Sequence, residues 1–177
     1  VRAAAGDVRL VLVASRRGER RFYQRLERAM AASCARAFIS LAGPADPATL
    51  NLMYNAADLS VNASRSEGWC NAIAESLAAG TPVVATDVGG NREQICSDGL
   101  GIIVPDGDLE ALAHGIVAGL TREWDRPLIA ARGQARGWDR VACEVAAVFE
   151  RVVGTRPPHT VGGPCLSTSP RADAPLA

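Results

Sequence analysis

The sequence predicts an α/β fold: an open, Rossmann-like parallel sheet with helices on both faces. Three observations carry this. Short apolar runs and amphipathic helical patterns alternate through most of the chain. The apolar runs are dense in Val, Ile and Leu without polar alternation, as in strands buried on both faces. A helix-length segment separates most successive runs, so neighbouring strands pair in parallel through right-handed crossovers.

The elements follow in order. Val8–Ala14 reads as a first strand suited to burial on both faces, and Glu19–Ala32 as a helix with Phe22, Leu26 and Met30 on one side. Ala37–Leu41 is a second strand, closed by Gly43 and Pro44. Pro47–Ala57 is a helix, with Asp46 as N-cap and Pro47 at the first helical position. Leu59–Asn62 is a third strand. Asn71–Ala79 is a helix stopped by Gly80. Pro82–Ala85 and Ile102–Val104 are the fourth and fifth strands, the latter followed by a turn at Pro105, Asp106 and Gly107. Leu109–Leu120 and Asp125–Val153 are helical, with a break near Gly137. Beyond Val153, residues Pro157, Pro158, Pro164, Pro170 and Pro175 fall among Gly, Ser and Thr. The expected organisation is one domain over 1–153 and a disordered tail over 154–177.

Composition narrows the function classes. The chain has 177 residues, 48% of them hydrophobic, which is enough for one folded core. Its formal net charge is zero and its basic residues are all arginine. A nucleic-acid binder would carry a basic surplus, so that class is disfavoured. Five cysteines, Cys34, Cys70, Cys96, Cys143 and Cys165, form no zinc spacing and read as buried small hydrophobes. Neither His114 nor His159 has a partner motif. No apolar run approaches the ~20 residues that span a bilayer, and no signal peptide precedes the first strand. The first residue is Val and a strand follows almost at once, so the expectation is a stretch from inside a longer protein.

In open α/β sheets the ligand lies at the carboxyl ends of the strands. The segment to weigh is therefore 61–90, where a loop over 63–68 joins the third strand to the next helix. The amides of Gly68, Trp69, Cys70 and Asn71 open that helix and have no acceptor within it. They suit an oxygen-rich anion, which the helix dipole also favours, and Gly68 lets a ligand approach the backbone. Glu67 precedes the helix and Glu75 lies on it, eight positions later and one turn beyond Asn71. An ionised carboxylate only accepts hydrogen bonds, and the neighbouring hydroxyls of a sugar are its natural donors. One Glu for a hexose and one for a ribose, with free amides between, would suit a nucleotide-diphosphate sugar. From their types alone, solvated surface charge is the more ordinary account of the same two residues.

The ordered string of motifs weighs against surface charge. LVLV at Leu10–Val13, LAGPADPATLNLMYNAADLSVNAS at Leu41–Ser64, SEGWCNAIAESLAAGTPVVATDVGGNREQI at Ser66–Ile95 and GIIVPDGDLEALAHGI at Gly101–Ile116 stand in sequence. Together they resemble the C-terminal, donor-binding domain of the GT-B-fold retaining glycosyltransferases of family four, or group one. The likeness runs from Val8 to about Val153, roughly four-fifths of the chain, and includes the Glu–seven residues–Glu spacing from Glu67 to Glu75.

The resemblance implies that Glu67 is the catalytic carboxylate facing the donor sugar near its anomeric centre. It implies that Gly68, Trp69, Cys70 and Asn71 line the sugar and diphosphate, and that Glu75 holds the ribose. Pro44 and Ala45 would meet the nucleotide base through backbone atoms, while Gly80-Thr81-Pro82 and Gly89-Gly90 would be structural turns. It further implies transfer of a sugar to an acceptor hydroxyl with retention, without metal or other cofactor. The acceptor, a sugar or lipid-linked glycan of the cell envelope, would be held by an N-terminal domain outside this sequence. The setting would be cytoplasmic, within peripheral reach of the inner membrane face. Two features of the family are absent from the sequence: that N-terminal domain, and the Arg and Lys that clamp the diphosphate. Arg16 and Arg17 match a later loop and are not assigned the clamp. A stretch lacking both is expected to be inactive alone. The alternative is a truncated or degenerate module that binds nucleotide or nucleotide sugar without catalysis.

Overall fold

A computed structural model describes residues 6–13 and 20–153; Arg16, Arg17, His159, Cys165 and the predicted tail over 154–177 lie outside them. The chain divides into two compact units, Val1–Arg136 and Gly137–Ala177.

Among its described residues the first unit carries five strands: β1 (Leu10–Val13), β2 (Ile39–Ala42), β3 (Ser60–Asn62), β4 (Val83–Thr86) and β5 (Gly101–Val104). Its helices are α1 (Arg20–Ala32), α2 (Pro47–Ala56), α3 (Asn71–Ala78), the single turn α4 (Asn91–Gln94), α5 (Leu109–Thr121) and α6 (Arg126–Gln134). The second unit contributes α7 (Trp138–Val153). Every strand pair is parallel, and the strands bond in two sets, β1-β2 and β3-β4-β5. The α/β class and the parallel pairing are those the alternation of patterns predicts.

β4 shows how helices come to cover both faces. Successive side chains of a strand point to opposite sides. Val83 and Ala85 join Cys70, Ile73, Leu77, Ile95, Leu100 and Ile129 in the main core cluster, on the side of α3 and α6. Val84 points the other way, towards Gly115 and Gly119 of α5. Each large aliphatic side chain so buried contributes about 1.5–3 kcal/mol. α6 crosses α3 so closely that a side chain in place of Gly133 would collide with the backbone of Leu77 and Ala78.

The helix starts behave as their sequences dictate. Asp46 accepts from the Thr49 amide at 3.0 Å, ahead of Pro47. Asp108 caps α5 through the amides of Glu110 and Ala111, and Asp125 caps α6 through that of Leu128. Gly80 ends α3 with φ +78°, the left-handed conformation that favours glycine.

Four expectations need correction. β1 is not buried on both faces: Leu10, Val11 and Val13 are 43%, 55% and 42% exposed, and among the described residues β1 is bonded along one edge only, to β2. In α1 the inward row is Tyr23, Leu26 and Met30, and Phe22 is exposed, since a row of period 3–4 that starts at Tyr23 leaves Phe22 outside it. Ala37 and Phe38 belong to a 3-10 turn, Arg36–Phe38, which precedes β2. Of the four described cysteines only Cys70 is buried; Cys34, Cys96 and Cys143 are exposed because none sits on a core-facing position.

Candidate functional site

The loop over 63–70 leaves the carboxyl end of β3 and delivers the chain to α3. Two hydrogen bonds to its backbone carbonyls fix it. Thr86, at the end of β4, donates its hydroxyl to the Ser64 carbonyl. The Gly90 amide donates to the Gly68 carbonyl at 2.9 Å. A small polar layer lies beneath. Asn62 donates to the Cys70 sulfur at 3.1 Å, and Asn91 donates to the Thr86 carbonyl at 3.0 Å and to Asn62 Oδ1 at 3.5 Å. Asn91 Oδ1 and both polar atoms of the Gln94 amide are buried without a partner among the described residues. Such groups are costly, and the layer they belong to ties β3, β4 and α4 to the start of α3.

Cys70 occupies the N-cap of α3 with extended backbone and no side-chain capping bond. It is 4% exposed and packs in the same core cluster as Ile73 and Leu77, so the helix start is anchored inward. Burial pushes its thiol up, the Ile73 amide opposes this, and the Glu67 carboxylate beside it adds to the rise. Among the described residues no backbone acceptor takes the amides of Gly68, Trp69, Cys70 or Asn71. Four donors are thus left at one helix end, where the dipole adds a partial positive charge.

Glu67 is half-buried in the loop and Glu75 is exposed one turn into α3. They flank the free amides from opposite sides along the chain. Trp69 is 44% exposed; its ring packs on the backbone at Gly90, and the Arg136 guanidinium stands 5.1 Å from the ring centroid. A cation thereby stands by the indole next to those amides. Pro44 is exposed and Ala45 half-buried in the turn between β2 and α2. No hydrogen bond among the described residues ties these two to the start of α3. The sequence-predicted residues 67–75 are therefore brought together, and 44–45 stand in a separate loop at the carboxyl end of another strand.

The sequence reading missed a second set of residues. Tyr54, in the last turn of α2, donates its hydroxyl to Glu75 Oε2 at 3.3 Å. Its carbonyl accepts from the Thr81 hydroxyl at 2.6 Å, and that hydroxyl accepts from Arg126 at 2.8 Å. Arg126 also donates to the Ala57 and Asn55 carbonyls at 2.8 and 3.2 Å. These contacts join residues 21 to 71 positions apart, and nothing in local spacing signals them. The Tyr54 phenol is pushed up to about 12, first by burial and then by the charge and hydrogen bond of Glu75.

Concave spaces lie along α7 by Glu144, Val148 and Arg151, and between α1 and β2 by Met30, Ile39 and Leu41. No group of three His, Cys, Asp or Glu side chains among the described residues is placed to hold a metal ion. No helix among them is long and apolar enough to cross a membrane. A row of free amides flanked by two acceptor carboxylates can hold an anion between two hydroxyl-bearing groups.

Comparison with known proteins gives the same picture at family level. The model for "Glycosyl transferases group 1" matches residues 1–122. A GDP-mannose-dependent alpha-mannosyltransferase of Mycobacterium tuberculosis is 33% identical over 156 residues, which is 87% of this chain and 39% of that protein. A D-inositol 3-phosphate glycosyltransferase of Xylanimonas cellulosilytica is also 33% identical over 156 residues, covering 85% of this chain and 37% of that one. Among solved structures, the sucrose-phosphate synthase of Thermosynechococcus elongatus superposes with a TM-score of 0.70 at 26% identity, over 82% of this chain and 38% of that one. A glycosyltransferase from Rickettsia africae shares the fold, with a TM-score of 0.76 at 18% identity over 84% of this chain and 41% of that one. The chain spans about two fifths of the length of these curated relatives.

Proposed function

The chain belongs to the group 1 glycosyl transferases, and from that premise we propose that it forms the donor-binding part of an enzyme that transfers a sugar from a nucleotide-diphosphate sugar to an acceptor hydroxyl with retention. One observation carries this reading: Glu67 and Glu75 flank the unpaired amides of Gly68, Trp69, Cys70 and Asn71 at the start of α3. In the proposal, those amides and the helix dipole receive the diphosphate. Glu75 accepts from the ribose hydroxyls, Glu67 from the sugar, and the loop at Pro44 and Ala45 meets the base.

Transfer breaks the bond from the anomeric carbon to the diphosphate oxygen and forms one to the acceptor oxygen, whose proton passes to the leaving diphosphate. Negative charge grows on the leaving diphosphate and positive charge at the anomeric carbon. Amides fixed before the reaction meet the first without reorganisation, and a carboxylate at Glu67 meets the second. Neither role needs a metal or a cofactor. The acceptor, a sugar or lipid-linked glycan of the cell envelope, is assigned to a further domain. The two-fifths coverage of the relatives supports that division. On this reading residues 1–177 alone bind donor and transfer no sugar.

The test is thermal denaturation with UDP-, GDP- and ADP-linked sugars, each backed by calorimetric titration. A ligand at a hundredfold excess over its Kd stabilises by about 2.7 kcal/mol. A rise with one base and not the others supports the assignment. No shift and no heat with any of them removes it.

A further inference from the structure

We propose that Tyr54 is a positioning residue for nucleotide binding, its hydroxyl holding the Glu75 carboxylate in the orientation that receives the two ribose hydroxyls. This rests on the reading of Glu75 as the ribose contact.

The argument begins with what Glu75 lacks. It is exposed on α3 and no cation among the described residues is bonded to it. A glutamate with three rotatable side-chain bonds samples many orientations, and freezing them on binding costs affinity. The Tyr54 phenol is the group that limits this freedom. It donates to Oε2 and leaves Oε1, with the spare lone pairs, to accept from a ligand. At 3.3 Å the bond is longer than the usual 2.5–3.0 Å, and such contacts in a free site tighten when ligand arrives.

A positioning group must itself be positioned. Tyr54 turns on two side-chain bonds only, and its ring is half-buried. Its carbonyl is held by Thr81, Thr81 by Arg126, and Arg126 also by the carbonyls of Asn55 and Ala57. The turn that ends α2 is thus fastened to the turn that ends α3, and from it Tyr54 reaches Glu75. Its proton is retained well above neutral pH, so it remains a donor wherever nucleotide is bound.

The experiment is a double-mutant cycle on the full chain: wild type, Tyr54→Phe, Glu75→Ala and the pair. Titration uses whichever of UDP, GDP and ADP binds wild type most tightly, and its 2′-deoxy counterpart. Tyr54→Phe keeps the ring, and a melting curve checks that the fold is kept. Its expected effect is a Kd raised about threefold to tenfold, less than removal of Glu75. Its preference for ribose over deoxyribose should shrink, and it should add nothing in the Glu75→Ala background. An unchanged Kd in Tyr54→Phe, with Glu75→Ala impaired, overturns the inference and leaves the proposed function standing. An equal loss in both backgrounds also overturns it, because the effect then does not pass through Glu75. Normal binding in Glu75→Ala, or none in wild type, overturns the ribose assignment and the inference with it.

Discussion

Gly89 is packed backbone to backbone against Glu67: a side chain at position 89 would run into the Glu67 carbonyl, and Gly89 also has φ +51°. The loop that carries the first carboxylate is therefore seated on the turn that follows β4. Gly89→Ala should cost more than a left-handed alanine alone, because the Glu67 loop must move as well. Gly107→Ala supplies the comparison, since Gly107 has φ +76° and open space around it. That substitution should cost about 1–2 kcal/mol. Denaturant melts of the two variants check the order, and equal losses would mean that the loop yields freely.

Arg126 fastens three groups that no neighbour in sequence could reach: the carbonyls of Asn55 and Ala57 and the hydroxyl of Thr81. Arg126→Met keeps much of the side-chain stem and leaves all three without this donor. The expected loss is about 2–3 kcal/mol, which for a chain of this size lowers Tm by roughly 2–4 °C per kcal/mol. Arg126→Lys should recover only part, because an ammonium cannot reproduce the planar fork. A thermal melt of both variants tests this, and full rescue by Lys would reduce the role of Arg126 to its charge.

Much of this was legible because it is local. Asp46 before Pro47, Gly80 after α3 and the apolar run of β4 declare their roles through neighbours one to four positions away. Glu67, Glu75 and the amides between them lie within nine consecutive residues, so spacing places them at one helix start. Tyr54 escaped because its partner stands 21 residues on, across a strand and a loop, and a helical Tyr more often fills a core. β1 misled for the opposite reason. LVLV has the composition of a central strand, but burial depends on what surrounds the strand, and among the described residues β2 is its single bonded neighbour. The 3-10 turn at Arg36–Phe38 was hidden by the same logic, its apolar residues continuing the pattern of β2 without joining its ladder.

The Tyr54 phenol should titrate late, at about 12 against an ordinary 10.0. A folded pKa above the unfolded one gives stability that is whole below pH 10 and is lost as pH rises towards 12. Burial is the first cause, and Glu75 the second. Glu75→Gln should therefore lower the titration without returning it to the ordinary value. The measurement is tyrosinate absorbance in a Tyr23→Phe background, which leaves Tyr54 as the sole tyrosine of the two in the chain. An identical curve with Gln at position 75 would deny that the carboxylate faces the phenol.

Glu75→Ala should leave the fold intact, since the side chain is exposed. On the proposed function it removes the ribose acceptor. Hydrogen bonds to a charged group are worth about 1.5–3 kcal/mol, so nucleoside diphosphate should bind roughly ten- to a hundredfold more weakly. Titration calorimetry reads this directly, with the melting curve as control. A Kd within twofold of wild type would move Glu75 out of the site.

Glu67 should matter to the sugar and not to the nucleotide. It lies in the loop ahead of α3, while Glu75 lies one turn inside, so on the proposed function the two carboxylates should address opposite ends of one extended ligand. The readout is the ratio of affinities for nucleotide sugar and free nucleoside diphosphate. Glu67→Ala should bring that ratio towards one while the nucleoside diphosphate binds as before. In a preparation that transfers sugar, the same substitution should lower kcat more than nucleotide affinity, because contacts that strengthen as the anomeric carbon gains positive charge act on turnover. The competing account is that Glu67 only complements the dipole of α3, worth about 0.3–1 kcal/mol of stability. Under that account the variant melts slightly lower, discriminates sugar as well as wild type and turns over normally. Melting temperature, the affinity ratio and kcat on one preparation separate the two, and an unchanged ratio with normal kcat takes Glu67 away from the sugar.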